Sequence, residues 1–199
     1  MKNDANVSDP AEQLILVDRE DRQIGTLAKL DCHLGDGMLH RAFSIFLVNS
    51  NGQVLMQKRS AGKPLWPLYW SNSCCSHPRH GEALEAAAHR RLREELDVEC
   101  SALEFLYKFE YHAYFADVGA EHELCHVYMG RYDGEVRANE KEVAETRFFE
   151  PDELDRELAR YPDRFTPWFK LEWAKLRSGA AANGGDANGS DILRNRRRN

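Results

Sequence analysis

Three histidines in three separate segments carry the strongest chemical signal in this chain: His33 in L-D-C-H, His40 in M-L-H-R-A-F-S and His77 in N-S-C-C-S-H-P. Glu121 and Glu123 follow after a long gap, in E-H-E. Imidazoles and carboxylates drawn from distant segments make sense as ligands of one metal ion assembled by the fold. Five such donors leave room for a sixth and suit Mn²⁺, Zn²⁺ or Fe²⁺ better than Mg²⁺, which prefers oxygen. Cys75 lies two residues before His77, so a thiol would stand beside that ion. Taken singly, each histidine reads as an ordinary core or surface residue, and the two glutamates as the edge of a strand. Together they point to catalysis. A closed structural zinc site would use four ligands with cysteine prominent among them.

These residues need a frame, and 199 residues are enough for one domain with a sizeable core. Alternation and β-branched content predict strands over Gln13–Val17, Arg22–Lys29, Arg41–Val48, Gln53–Lys58, Leu103–Phe109, Tyr111–Phe115, Leu124–Met129 and Val143–Phe149. Asn49-Ser50-Asn51-Gly52 predicts a hairpin turn, because Asn and Gly tolerate positive φ. Between His33 and His40, Gly35 and Gly37 argue for a loop running into the next strand. Gly62–Trp70 reads as a loop. Glu82–Leu96 has helical periodicity, and Asp152–Ala159 and Trp168–Arg177 read as two closing helices. Strands with few helices imply an α/β (α+β) fold with a mixed sheet rather than regular βαβ alternation. The organisation expected is a flexible stretch at 1–12, one domain at 13–177, and a disordered tail at 178–199, rich in Gly, Ala and Asn with a basic end. Glu121 and Glu123, two apart on a strand, would face the same side.

Composition sets limits. A net charge of −6 gives no support to nucleic-acid binding. No run of about 18 apolar residues predicts a transmembrane helix, and the polar N-terminus lacks the apolar core of a secretory signal. Five cysteines without C-x-x-C spacing, with Cys74 and Cys75 adjacent, read as free thiols in a reducing cytoplasm. Nothing in the composition sets the oligomeric state; a monomer fits.

From Ser76 to Val98 the chain resembles the Nudix box, G-x5-E-x7-R-E-U-x-E-E-x-G-U with U aliphatic, through Glu82, Arg90, Leu92, Glu94, Glu95 and Val98. Ser76, Arg91 and Asp97 depart from it, and Arg91 interrupts the acidic set that hydrolases of that superfamily use. A more specific resemblance covers about Leu14 to Lys175. The combination H-x6-H-x-A-F-S, K-R-x3-K-x2-W-P, W-S-N-S-C-C-S-H-P, E-x-E-x-C-H-V and T-P-W-F is similar to type 1 isopentenyl-diphosphate isomerases.

That resemblance implies a Nudix-type mixed β-sheet sandwiched between helices. It implies interconversion of isopentenyl and dimethylallyl diphosphate by protonation and deprotonation through a tertiary carbocation, in isoprenoid biosynthesis. Cys75 and Glu123 take the places of the catalytic pair, Tyr111 that of the tyrosine beside the glutamate, and Trp168 that of the tryptophan over the cationic carbon. His33, His40, His77, Glu121 and Glu123 match the ligands of a first ion, Mn²⁺ or Zn²⁺. Glu95, with the Cys75 backbone, matches the site of Mg²⁺ arriving with the diphosphate. Lys29, Arg59, Lys63 and Arg91 stand where the family places its diphosphate-binding cations; without the resemblance they read as a solvated basic face. Two alternatives remain beside the isomerase: a Nudix hydrolase of a nucleoside diphosphate, which would keep a glutamate in place of Arg91, and a binding module with a structural metal.

Overall fold

The computed structural model describes residues 7–179. Nine strands join in one mixed sheet: β1 (Gln13–Val17), β2 (Gln23–Ala28), β3 (His40–Val48), β4 (Val54–Arg59), β5 (Trp70–Ser71), β6 (Cys74–Ser76), β7 (Leu103–Phe115), β8 (Gly119–Arg131) and β9 (Val143–Phe149). Four helices accompany them: α1 (Lys29–Cys32), α2 (Leu84–Leu96), α3 (Pro151–Arg160) and α4 (Pro167–Ser178). No described helix is long and apolar enough to cross a membrane.

Strand β3 is the axis. It runs parallel to β8 from His40↔Glu123 to Val48↔Arg131, and antiparallel to β6 over Phe43–Ile45. Its sequence H-R-A-F-S-I-F-L-V is apolar on both sides because both sides are covered. Phe43, Ile45 and Leu47 pack with Ala87, Ala88, Leu92 and Leu96 of α2. Ala42, Phe46 and Val48 pack with Leu154 of α3 and Phe169, Trp173 and Leu176 of α4. The mixed sheet is therefore sandwiched between helices, as expected.

Helix α2 shows why the box residues recur at their spacing. Arg90 donates to both carboxylate oxygens of Glu82, at 2.7 and 2.8 Å, and to Glu94 at 3.0 Å. Asp97 closes the helix in the left-handed region, at φ 55°, and its N–H donates to the Arg93 carbonyl. The box pattern has glycine at this position; Asp tolerates it at a cost of about 1 kcal/mol.

Several expectations need correction. The turn over Asn49–Gly52 forms, with Gly52 at φ 77°, but its two arms pair only at Val48↔Val54. They then part, β3 to β8 and β4 to β9, because each finds a longer partner. Leu103–Phe109 and Tyr111–Phe115 are one strand, interrupted by an irregularity between Phe105 and Tyr107. The second strand stops at Ala28, since Lys29 already belongs to α1. Residues 7–12, expected to be flexible, are fastened: Arg91 donates to the Val7 carbonyl at 2.7 Å and Ser8 Oγ to Glu142 at 3.0 Å. Ser178 belongs to α4, which Gly179 caps at φ 72°; the rest of the expected tail lies outside the described residues.

Candidate active site

A cavity of about 340 Å³ is lined by residues of α1, β4, β6, α2, β7, β8 and α4 and of the loops between elements. His33 follows α1, where its Nδ1–H donates to the Lys29 carbonyl at 2.6 Å, one turn back. This short helix puts Lys29 and His33 on one face. His40 begins β3, and its Nδ1–H donates to the Met38 carbonyl at 2.7 Å. The His40 ring is thereby fixed with Nε2 carrying the lone pair, and the His33 ring turns its Nε2 toward Glu121.

Strand register completes the cluster. Glu123 pairs with His40 across β3–β8 and with Tyr111 across β7–β8. The Tyr111 hydroxyl donates to Glu123 Oε2 at 2.7 Å, and His77 Nε2 lies 2.9 Å from Glu123 Oε1. Glu121 shares that face of β8, and His33 Nε2 lies 2.8 Å from its Oε2. The ring centroids of the three histidines stand 4.7–5.4 Å apart. One ligand atom from each of His33, His40, His77, Glu121 and Glu123 lies within 4.8 Å of every other.

The donor chemistry fits a divalent cation. His40 Nε2 is fully buried and has no hydrogen-bond partner among the described residues. A neutral imidazole whose Nδ1–H is already used offers there only a lone pair, aimed at the other ligands. Burial, and then the nearby His33, holds His40 down at about 3, so it stays unprotonated. Burial likewise pushes His77 well below the usual histidine range. Burial opposes ionisation of Glu121, but the adjacent His33 holds it at about 2. Burial and the Glu121 charge push Glu123 well up. Like charges and facing lone pairs at this spacing are what a bound cation relieves.

Cys75 faces the same cavity, and strand alternation says why it rather than Cys74. In β6, Cys75 pairs with Ser44 and turns to the cavity side, whereas Cys74 pairs with Ile45 and packs against α2. Burial pushes the Cys75 thiol up to about 12, with the Arg59 charge opposing, so it keeps its proton. Its Sγ lies 3.6 Å from Ser71 Oγ, which also accepts the Trp168 indole N–H at 3.0 Å. Trp168 closes the cavity, its ring 6.0 Å from Tyr111 and 5.3 Å from Trp66.

The four expected cations, Lys29, Arg59, Lys63 and Arg91, all line the cavity. Arg59 is held by the Trp66 and Leu65 carbonyls at 3.0 and 2.8 Å. Lys63 pairs with Glu142, a residue without any motif to announce it. Burial, and then the charges of Lys63 and Arg91, hold Lys29 down at about 8. Cations so crowded form a site for an anion. Glu95 stands apart from the five-residue cluster: its Oε1 accepts from Arg91 Nε and Nη2 at 3.0 and 2.6 Å. Ser71, Glu142 and the Ser8–Pro10 stretch are site residues that the motifs did not single out as functional.

Comparison with known proteins agrees with this geometry. The NUDIX domain family matches residues 38–169. Isopentenyl-diphosphate Delta-isomerase 1 of Photorhabdus laumondii is 44% identical over 83% of this chain and 94% of its own. The Burkholderia multivorans isopentenyl-diphosphate Delta-isomerase is also 44% identical, over 79% of this chain and 89% of its own. Among solved structures, a Deinococcus radiodurans protein superposes with a TM-score of 0.64 at 26% identity, covering 80% of this chain and 96% of that one. A MutT NUDIX hydrolase from Burkholderia pseudomallei, 20% identical over 69% of this chain and 97% of its own, superposes at a TM-score of 0.56 and shares the fold. A mixed sheet between helices, a histidine–glutamate cluster and close relatives of one kind together place this chain in the isopentenyl-diphosphate Delta-isomerase family of the Nudix superfamily.

Proposed function

We propose that the cavity interconverts isopentenyl and dimethylallyl diphosphate, with Cys75 and Glu123 as the proton-transferring groups. One observation carries this reading. A protonated thiol and a buried carboxyl line one cavity from β6 and β8, the strands flanking β3. The two groups thus reach the isoprenyl unit from opposite flanks, which suits addition of a proton at one carbon and removal at another.

From isopentenyl diphosphate, the C3=C4 electron pair takes a proton at C4 and leaves a tertiary cation at C3. A C2–H bond then breaks toward the group on the other flank, and its pair forms C2=C3. Trp168 offers its π face to the cation, a contact worth about 2 kcal/mol when desolvated. The Tyr111 hydroxyl steadies Glu123, and burial keeps water from quenching the cation. Lys29, Arg59, Lys63 and Arg91 anchor the diphosphate.

His33, His40, His77, Glu121 and Glu123 would hold Mn²⁺ or Zn²⁺, whose charge would stabilise Glu123 as a carboxylate. Glu95 and the Cys75 backbone would hold Mg²⁺ brought by the diphosphate, which requires Glu95 to share its contact with Arg91. Arg91 also argues against hydrolysis: it occupies a box position where the hydrolase pattern carries a glutamate.

Proton NMR of the purified protein with Mg²⁺ and isopentenyl diphosphate in D₂O tests the reading. Dimethylallyl diphosphate carrying solvent deuterium, without phosphate release, is the expected result. Inorganic phosphate or the monophosphate would overturn it in favour of hydrolysis, and an unchanged substrate would overturn it altogether.

A further inference from the structure

One buried acid beneath the cavity has no part in the chemistry above. Glu172 lies four residues after Trp168 on α4, hence on the same helical face, and is 0% exposed. Its neighbours come from the strands that build the site. Cys125, two residues beyond Glu123 on the same face of β8, brings its Sγ to 3.7 Å from Glu172 Oε1 and 3.4 Å from Ser44 Oγ. Ser44 is the register partner of Cys75, and it is hydrogen-bonded to the Glu172 carboxyl. Among the described residues Glu172 Oε2 has no hydrogen-bond partner, and no cation figures among the groups acting on this carboxyl.

An ionised carboxylate in that place would need donors at both oxygens and a compensating charge. A neutral acid needs less: its proton on Oε1 is donated to Ser44, and Oε2 remains as a carbonyl. We propose that Glu172 is a positioning residue of the isomerase site, a neutral carboxylic acid that ties Ser44 and Cys125 together under the isoprenyl group and so fixes the strands carrying Cys75 and Glu123. Burial, which pushes its carboxyl up to about 8, agrees with this. The titratable groups facing it are Cys125 and Glu123 from β8, Tyr107 from β7 and Cys75 from β6, and a charge on Glu172 raises the proton affinity of all four. Neutrality at Glu172 therefore leaves Cys75 and Glu123 to each other and to the substrate. The effect on turnover rests on the isomerase reading; the protonation state does not.

Difference infrared spectra of the full chain at pH 7 test it. Glu172→Gln should remove one carbonyl band of a buried protonated acid, and Ser44→Ala should shift that band. In turnover, Glu172→Gln should stay within about twofold of the parent, while Glu172→Leu loses about tenfold in kcat with KM for isopentenyl diphosphate unchanged. The inference is overturned if no acid band is lost, or if Gln and Leu depress kcat equally. Because the band is read without substrate, failure of the isomerase reading would leave it in place and would show only in the turnover arm.

Discussion

Gly119→Ala isolates a contact that holds the candidate metal-ligand cluster together from outside it. Gly119 opens β8, and a Cβ built there would overlap the His33 carbonyl oxygen and stand 3.4 Å from both the His33 carbonyl carbon and Leu65 Cδ2. The same His33 carbonyl accepts the Ala120 N–H at 2.9 Å, so the seam is backbone against backbone, with no flexible side chain to yield. Relief requires a displacement on the order of 1 Å, the scale at which a misplaced group costs roughly 100-fold in rate. Overpacking of this kind should lower stability by about 1–3 kcal/mol. Moving His33 off the set should weaken metal binding about 10–100-fold, the range for disturbed partners of ligating histidines. Competition titration of metal-free protein with Zn²⁺ or Mn²⁺ against a chromophoric chelator reads the affinity, and thermal melting reads the stability. Gly25→Ala is the control: its added Cβ would find Leu16 Cδ1 at 3.7 Å, an ordinary contact. Parental metal affinity in Gly119→Ala would refute the reasoning.

Three further outcomes are expected. Cys75→Ala should abolish isomerisation with the fold intact, while Cys74→Ala, buried against α2, should keep activity and lose about 1 kcal/mol of stability; the reverse pattern in turnover assays would reassign the thiol. Asp97→Gly should raise stability by about 1 kcal/mol in denaturant titrations, since Asp97 holds φ 55° at the end of α2 and its ion pair with Arg137 is exposed. Folded Glu172 keeps its proton to about pH 8, whereas the unfolded chain releases it near about pH 4.3. The folded state therefore binds the extra proton between those values, and this group's contribution to stability falls as pH rises through that window. The melting-temperature advantage of Glu172→Gln should grow from about pH 4.5 to 8 and then level off; parallel profiles would exclude it.

Much of the frame was legible in the chain itself. Gln13–Val17 and Val143–Phe149 form strands at their expected bounds, and α2 and α4 arise within one or two residues of expectation. Helical and alternating periodicity record which side of each segment is apolar, and that much is local. The five candidate ligands could be picked out as well, because their residue types are uncommon at such density. Strand β6 was not legible: Cys74–Ser76 is too short to alternate and becomes a strand only because β3 offers it an edge.

The sequence by itself determined most of the longer elements, the inventory of donors and, through its motifs, the family. Only the tertiary structure decided that Cys75 and not Cys74 faces the cavity, since pairing with Ser44 sets its side of the sheet. It alone brought Glu142 to Lys63 and Arg91 and set Glu172 under Ser44 and Cys125. The physical reason is common to all three. Which groups meet across the molecule is fixed by strand register and by the burial of whole faces, and neither is written in any single stretch of chain.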